Sequence, residues 1–242
     1  MLTSFVINAV PWEGDLPVAS HPGACVFMAE VGPYLTRGRL AEALAALRAH
    51  WPIEQLESFL TVPDSESVAL AARCIGMVGG MDQCPELIPL LGNPESRVSA
   101  AAEDALWSIW FRASSETGTE ILAAATALIR DENFDAALDV LDDLLGTEPD
   151  FAEAHHQAAL AYHSLDRRGE AERAYAQAIR LNPWHFAALA GIGHLCVERD
   201  DVSAALHYYR RAIQIHPRID GLSELLPALQ AAVPEPGLEF RV

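Results

Sequence analysis

The side chains best suited to chemistry are concentrated in the second half of the chain, where most of its nine histidines occur. Among them, Glu153 and His156 form a Glu-x-x-His pair, a spacing that di-iron helical bundles use twice, together with two further carboxylates. The sequence contains no second pair of this kind. We therefore predict no metal site here, and we predict no cofactor and no catalytic residue elsewhere in the chain.

Motifs of the common enzyme classes are missing from the sequence. It contains no GxxxxGK[ST] phosphate-binding loop, no GxSxG nucleophile turn and no HExxH zinc motif. Oxygen-bearing side chains between Asp131 and Asp142 approach the spacing of an EF-hand calcium loop, but Ala136 stands where that loop needs glycine. We interpret these acidic residues as a solvated helix face, and we predict that the protein is not an enzyme.

The charge of the chain limits the partners it can bind. Its 242 residues include 34 acidic and 16 basic side chains, which gives a net charge of -18. A chain of this charge repels phosphate backbones and anionic lipid headgroups. We therefore expect neither nucleic acid nor a membrane surface as its partner.

Three sequence features predict a cytoplasmic location. The apolar runs are interrupted every few residues, so none reaches the roughly 20 residues of a membrane-spanning helix. The first residues lack the basic start and small-residue cleavage site of a secretory leader. The four cysteines are scattered without metal-ligand spacing, and a disulfide framework is not expected.

An internal repeat decides the architecture of the second half. Pro149, Pro183 and Pro217 lie 34 residues apart, and prolines suit the turn that ends a helix. Small residues and tyrosines recur in phase between them, at Ala159, Ala171, Tyr175, Ala178, Gly193, Ala205, Tyr209 and Ala212. This period and pattern resemble the tetratricopeptide repeat (TPR), a pair of antiparallel helices. The stretches FAEAHHQAALAYHSL and NPWHFAALAGIGHL also resemble a group of bacterial TPR proteins.

The TPR resemblance implies a binding groove. In TPR arrays, the first helix of each repeat lines a concave surface, and eight residues are predicted to line it here: Leu122, Thr126, Glu153, His156, Leu160, His163, His194 and Val197. TPR modules that hold a C-terminal carboxylate use groove Lys, Asn and Arg, whereas Gln157, Ala187 and Gly191 stand at such places here. The groove is therefore expected to bind a neutral or amphipathic peptide.

The first half has a different pattern. Val68, Ala71 and Ala72 are echoed 30 residues later by Val98, Ala101 and Ala102, an arrangement that resembles HEAT-like repeats. The predicted fold is therefore an all-α, right-handed α-solenoid of HEAT-like helix pairs, three TPR repeats and a capping helix.

The predicted boundaries divide the chain into five parts. They are an N-terminal segment of unclear structure (1–36), HEAT-like repeats (37–113), TPR repeats (114–218), a capping helix (219–233) and a tail (234–242). Within the first part, the apolar runs FVINAV and ACVFMA are compatible with strands, a hairpin or an extended strap.

Repeat solenoids present extended surfaces to partners, so we expect a non-catalytic scaffold or adaptor that binds a protein or peptide of unknown identity. The alternative is a subunit of a lyase-like or other enzyme complex, because HEAT-like arrays resemble those of phycobilin lyases, where they hold the substrate.

Overall fold

A computed structural model describes residues 21–219 and 221–232, and this part of the chain contains helices, turns and connecting segments but no β-strand. The all-α prediction is thus confirmed for these residues. No helix among them combines the length and the hydropathy that crossing a lipid bilayer requires. The chain divides into two compact units, Met1–Thr119 and Glu120–Val242.

Thirteen α-helices follow one another along the described residues. They are α1 (Pro22–Thr36), α2 (Leu40–His50), α3 (Ile53–Ser58), α4 (Ser65–Val78), α5 (Cys84–Leu87), α6 (Ser96–Phe111), α7 (Glu116–Arg130), α8 (Phe134–Thr147), α9 (Ala152–Ser164), α10 (Arg168–Leu181), α11 (Phe186–Glu198), α12 (Val202–Ile215) and α13 (Leu222–Ala232). The boundary between the two units falls within α7.

The N-terminal segment contains a helix, whereas its sequence is compatible with strands, a hairpin or an extended strap. The run ACVFMA lies inside α1, with Ala24, Phe27 and Met28 buried. Their spacing of three and four residues places them on one helical face, which decides in favour of helix over the alternation a strand needs. The run FVINAV and the predicted tail lie outside the described residues.

The core of the first unit is built on the packing of α4 against α6. A Cβ atom added at Gly76 would lie 2.7 Å from the Cα atom of Ala105, so only glycine allows the two helices to approach this closely. Between them, the predicted second helix of a HEAT-like pair is reduced to α5, a four-residue helix flanked by 3-10 turns. The HEAT-like interpretation of this unit stays a prediction.

The second unit consists of stacked helix pairs with the predicted period. Glu132, Asp166 and Asp200 have left-handed backbone conformations with φ of 57°, 56° and 58°. Each lies between the two helices of one pair, 34 residues from the next. The backbone N–H of each following residue reaches back to a carbonyl of the preceding helix, as in Arg167 N to Tyr162 O at 2.9 Å, which is a Schellman-type helix end.

Tyrosines of the second helices fill the space left by glycines of α11. A Cβ atom at Gly191 would lie 2.4 Å from the ring of Tyr175, and one at Gly193 would lie 2.3 Å from the ring of Tyr209. Both rings are fully buried. Helix α13 then packs on α12 and buries Leu222 against the same core, in the position expected of the capping helix.

The left-handed turns allow a test of the repeat register. Left-handed backbone is unfavourable for residues with a Cβ atom by about 1–2 kcal/mol, and glycine avoids this strain at some loss of chain entropy. Glu132→Gly is therefore expected to raise the free energy of unfolding by up to about 1 kcal/mol, measured by chemical denaturation. Ala124→Gly, on the exposed face of α7, is the control and should lower it by about 1 kcal/mol.

Candidate functional site

The chemistry-bearing side chains of the second unit lie on α9 and α11, the first helices of the second and third helix pairs. His185 is the N-cap of α11, and its ring Nδ1 accepts a hydrogen bond from the backbone N–H of Ala188 at 3.2 Å. This bond satisfies one of the amide groups that a helix start leaves without a partner. It also fixes the direction in which the other ring nitrogen, Nε2, points.

A buried cluster joins the two helices near their N-terminal ends. The Glu153 carboxylate lies 3.0 Å from His185 Nε2 through its Oε2 atom, and 3.1 Å from His156 Nδ1 through its Oε1 atom. Gln157 Nε2 donates a further hydrogen bond to Oε1 at 2.7 Å. The relative exposure of these four side chains ranges from 0% to 6%. We call Glu153, His156, Gln157 and His185 the buried cluster.

The electrostatics of the buried cluster keep Glu153 ionised. Burial alone raises the pKa of this carboxyl, but the adjacent His156 and His185 outweigh burial and lower its pKa to about 2. Burial lowers the pKa of His185, and His156 lowers it further, against the opposing influence of Glu153. The rings of the two histidines are only 4.3 Å apart between centroids. Close to neutral pH the cluster therefore presents a carboxylate and a neutral His185 imidazole.

Three of these residues have the donor atoms of a metal site. One ligand atom each from Glu153, His156 and His185 lies within 4.8 Å of the other two. Two imidazole nitrogens and a carboxylate oxygen form a donor set that zinc uses in proteins.

A second connection between the same helices lies at their C-terminal ends and is more exposed. His163 Nε2 lies 2.9 Å from Glu198 Oε1, and Arg168 pairs with the other oxygen of that carboxylate at 3.2 Å. On the same side, His194 Nδ1 lies 2.7 Å from the hydroxyl of Tyr209. Desolvation and the nearby His163 lower the pKa of His194, while Glu198 opposes them. This is the part of the site where polar groups remain accessible to a partner.

The structure separates the eight predicted groove residues into two sets. Leu122, Glu153 and His156 are buried, with relative exposures between 0% and 2%. Side chains so covered offer no surface to a partner. Of the other predicted groove residues, His194 is exposed and four are partly exposed: Thr126, Leu160, His163 and Val197.

His156 is covered because Glu153 and His185 give its polar ring hydrogen-bonding and packing partners inside the protein. The sequence places it in the predicted groove together with His163 and His194. In the structure it belongs to the buried cluster instead, and His163 is close enough to His194 to influence its pKa.

Sequence reasoning missed the roles of His185 and Gln157. Gln157 lies four residues after Glu153, a spacing at which helical side chains meet, and this signal was available in the sequence. His185 comes from the next helix pair, and only the stacking of the repeats brings it to Glu153.

Comparison with known proteins supports the repeat assignment. A family model described as Tetratricopeptide repeat matches residues 152–183, which comprise α9, α10 and the turn after them. A TPR repeat-containing protein of Rhizobium etli is 25% identical over 125 residues, or 52% of this chain. The aligned region spans 60% of the length of that curated relative.

Several solved structures are similar to this chain at low sequence identity. TTC0263, a thermophilic TPR protein of Thermus thermophilus, is 19% identical, with 84% of this chain and 96% of that chain covered and a TM-score of 0.38. MamA of Desulfovibrio magneticus RS-1 is 18% identical, with 84% and 100% covered and a TM-score of 0.41. The first TPR of Spaghetti (RPAP3), bound to an HSP90 peptide, is 18% identical, with 49% and 94% covered and a TM-score of 0.47.

The matched family model covers the pair α9–α10, and the 34-residue spacing of the left-handed turns extends the same period to the pairs on either side of it. The chain thus contains a tetratricopeptide repeat, formed by α9 and α10.

Proposed function

We propose that the protein is a non-catalytic scaffold or adaptor whose second unit binds a peptide or helix of a partner protein. The proposed contact residues lie on the first helices of the repeats: Thr126, Leu160, His163, His194 and Val197. Repeat solenoids characteristically present such extended surfaces to partners. The observation that carries the proposal is the recurrence of accessible side chains at corresponding positions of successive repeats.

The chemistry of this surface favours an uncharged or amphipathic peptide. Leu160 and Val197 are partly buried aliphatic side chains, suited to apolar side chains of a partner. The Glu198 carboxylate, at the C-terminal end of α11, is already paired with His163 and Arg168. A partner segment would therefore meet apolar contacts and histidine hydrogen-bonding groups rather than a strong fixed charge.

Recognition of a C-terminal carboxylate is not part of this proposal. Gln157 belongs to the buried cluster, and the space at Gly191 is filled by the ring of Tyr175. Neither position presents a cationic side chain to a ligand, and the chain contains no lysine. A carboxylate would find no counterpart there for the charge-assisted bonds that such recognition uses.

We place the protein in the cytoplasm as part of the same proposal. Cys74, Cys84 and Cys196 are buried and form no disulfide. Burial raises the pKa of the Cys84 thiol to about 11, so this side chain stays protonated and unreactive near neutral pH. Unpaired cysteines are typical of reducing compartments.

The proposal is tested by altering accessible residues of the surface. The tagged full-length chain and the double variant Leu160→Ala/His194→Ala are used for affinity capture with quantitative mass spectrometry. Because contacts at the centre of an interface typically each contribute more than about 1 kcal/mol, recovery of a genuine partner should fall roughly tenfold or more.

His207→Ala is the matched control, since His207 is an exposed histidine on α12, the second helix of its repeat. Its recovery of the partner should equal that of the unaltered chain. Equal recovery by the Leu160→Ala/His194→Ala variant, or an equal loss in His207→Ala, would place binding elsewhere.

A further inference from the structure

We propose that Glu153, His156 and His185 of the buried cluster form a binding site for one divalent transition-metal ion of the zinc class. The site is distinct from the peptide-binding surface, and the inference does not depend on that function. In the sequence, only Glu153 and His156 have a spacing typical of metal ligands. The fold adds a third donor, His185, from the next repeat.

Three side chains with suitable donor atoms converge in the buried cluster: Glu153, His156 and His185. Glu153 Oε2 lies 3.0 Å from His185 Nε2, while Glu153 Oε1 lies 3.1 Å from His156 Nδ1. The three potential ligand atoms lie within 4.8 Å of one another. Zinc accepts imidazole nitrogen at about 2.0–2.1 Å and carboxylate oxygen at about 2.0–2.2 Å, so a modest rearrangement of these side chains accommodates the ion.

A bound cation also matches the charge of the buried cluster. Glu153 is completely buried, and a buried carboxylate is stable only when a cation or several hydrogen bonds compensate it. The two imidazole rings beside it are 4.3 Å apart between centroids, so a divalent cation bound by all three side chains would compensate the carboxylate.

A supporting hydrogen bond already orients one of the proposed ligands. Gln157 Nε2 holds the Glu153 carboxylate from outside at 2.7 Å, the kind of supporting hydrogen bond that orients metal ligands.

Coordination would change one hydrogen bond in a recognisable way. His185 Nδ1 now accepts from the backbone N–H of Ala188, so the ring proton is on Nε2 and points toward Glu153. An ion bound at Nε2 displaces that proton, and the neutral ring then carries its proton on Nδ1. The Ala188 amide loses its acceptor, and the proton on His156 Nδ1 moves to the other nitrogen of that ring.

The test uses the metal-free full-length chain and Zn²⁺ alone, with overnight equilibration because the ligands are buried. Isothermal titration calorimetry and equilibrium dialysis are expected to show one equivalent bound. His185→Asn removes the ligand but keeps a side chain that caps helices well, and it should weaken binding at least 100-fold. His194→Gln, which alters an accessible histidine, should leave the affinity unchanged.

A measurement on the unaltered chain keeps the test decisive if His185→Asn fails to fold. Nitrogen-15 NMR of the histidine rings should show Zn²⁺-dependent shifts at His156 Nδ1 and His185 Nε2, together with a shift of the Ala188 amide. Absence of stoichiometric binding, or binding with shifts confined to His163, His194 or other accessible histidines, would overturn the proposal. Neither result would bear on peptide binding by the surface of α9 and α11.

Discussion

Glu153→Ala is expected to lower the free energy of unfolding of the second unit by about 3 kcal/mol or more, measured by urea denaturation in metal-free buffer. The substitution removes the carboxylate that accepts hydrogen bonds from three buried side chains: His156, Gln157 and His185. Each buried donor left without an acceptor costs about 1–3 kcal/mol. No water can replace the lost carboxylate without entering a fully buried position.

Glu170→Ala is the control for this substitution. Glu170 pairs with Arg167 at the start of α10, where both side chains are well exposed. Exposed ion pairs of this kind contribute about 1 kcal/mol or less. A similar small effect for both variants would show that the buried cluster contributes little to the stability of the second unit.

Gly193→Ala is expected to lower the free energy of unfolding by about 1–3 kcal/mol, although alanine normally favours helix. The added methyl group would lie 2.3 Å from a ring carbon of Tyr209, a distance that two non-bonded carbon atoms do not maintain. Tyr209 is fully buried and its hydroxyl contacts His194. The ring therefore cannot move aside without disturbing both the core and the contact between the Tyr209 hydroxyl and His194.

Gly146→Ala is the matched control, since it makes the same chemical change within α8 of the same unit. A Cβ atom at Gly146 meets nothing within 4 Å, so the usual helix preference for alanine applies and stability should rise by up to about 1 kcal/mol. The opposite signs of the two changes can be read from thermal melts. Equal effects would contradict the packing of Tyr209 on α11.

The repeats of the second unit could be predicted from the sequence because their signal is periodic. Pro149, Pro183 and Pro217 recur every 34 residues, and each marks a turn that proline can occupy but a helix interior cannot. Small residues opposite tyrosines then fix the register, since only a glycine such as Gly193 leaves space for a ring. Local chemistry and long-range packing agree in this half of the chain.

The buried cluster could not be predicted in full because its geometry depends on how two repeats stack. Periodicity correctly places His156 on the first helix of its repeat, but it does not show whether the next repeat covers that position. His185 covers it, and it also caps α11. The sequence alone therefore predicts an accessible His156, whereas the structure buries this side chain beside His185.

The first unit illustrates a different limit. The sequence correctly indicates α4 and α6, because apolar residues recur along both at helical spacing. Asn93 and Pro94 are residue types that often begin a helix, but the first residue of α6 is Ser96, and the Asn93 side chain instead accepts a hydrogen bond from the backbone N–H of Glu95 at 2.9 Å. Asn serves turns and helix caps equally well, so the residue type alone does not decide between them.

The two connections between α9 and α11 have a consequence for how the array opens. Glu153–His185 joins these helices near one end and His163–Glu198 joins them near the other, so neither repeat can separate while both links hold. In arrays where each repeat contacts only its neighbours, stability is governed by such interfaces, and a strong interface makes two repeats behave as one cooperative block. In a hydrogen-exchange experiment, the backbone amides of α13 and α12 should therefore exchange first and gradually. The backbone amides of α9, α10 and α11 should exchange later and together, in a single sub-global unfolding event.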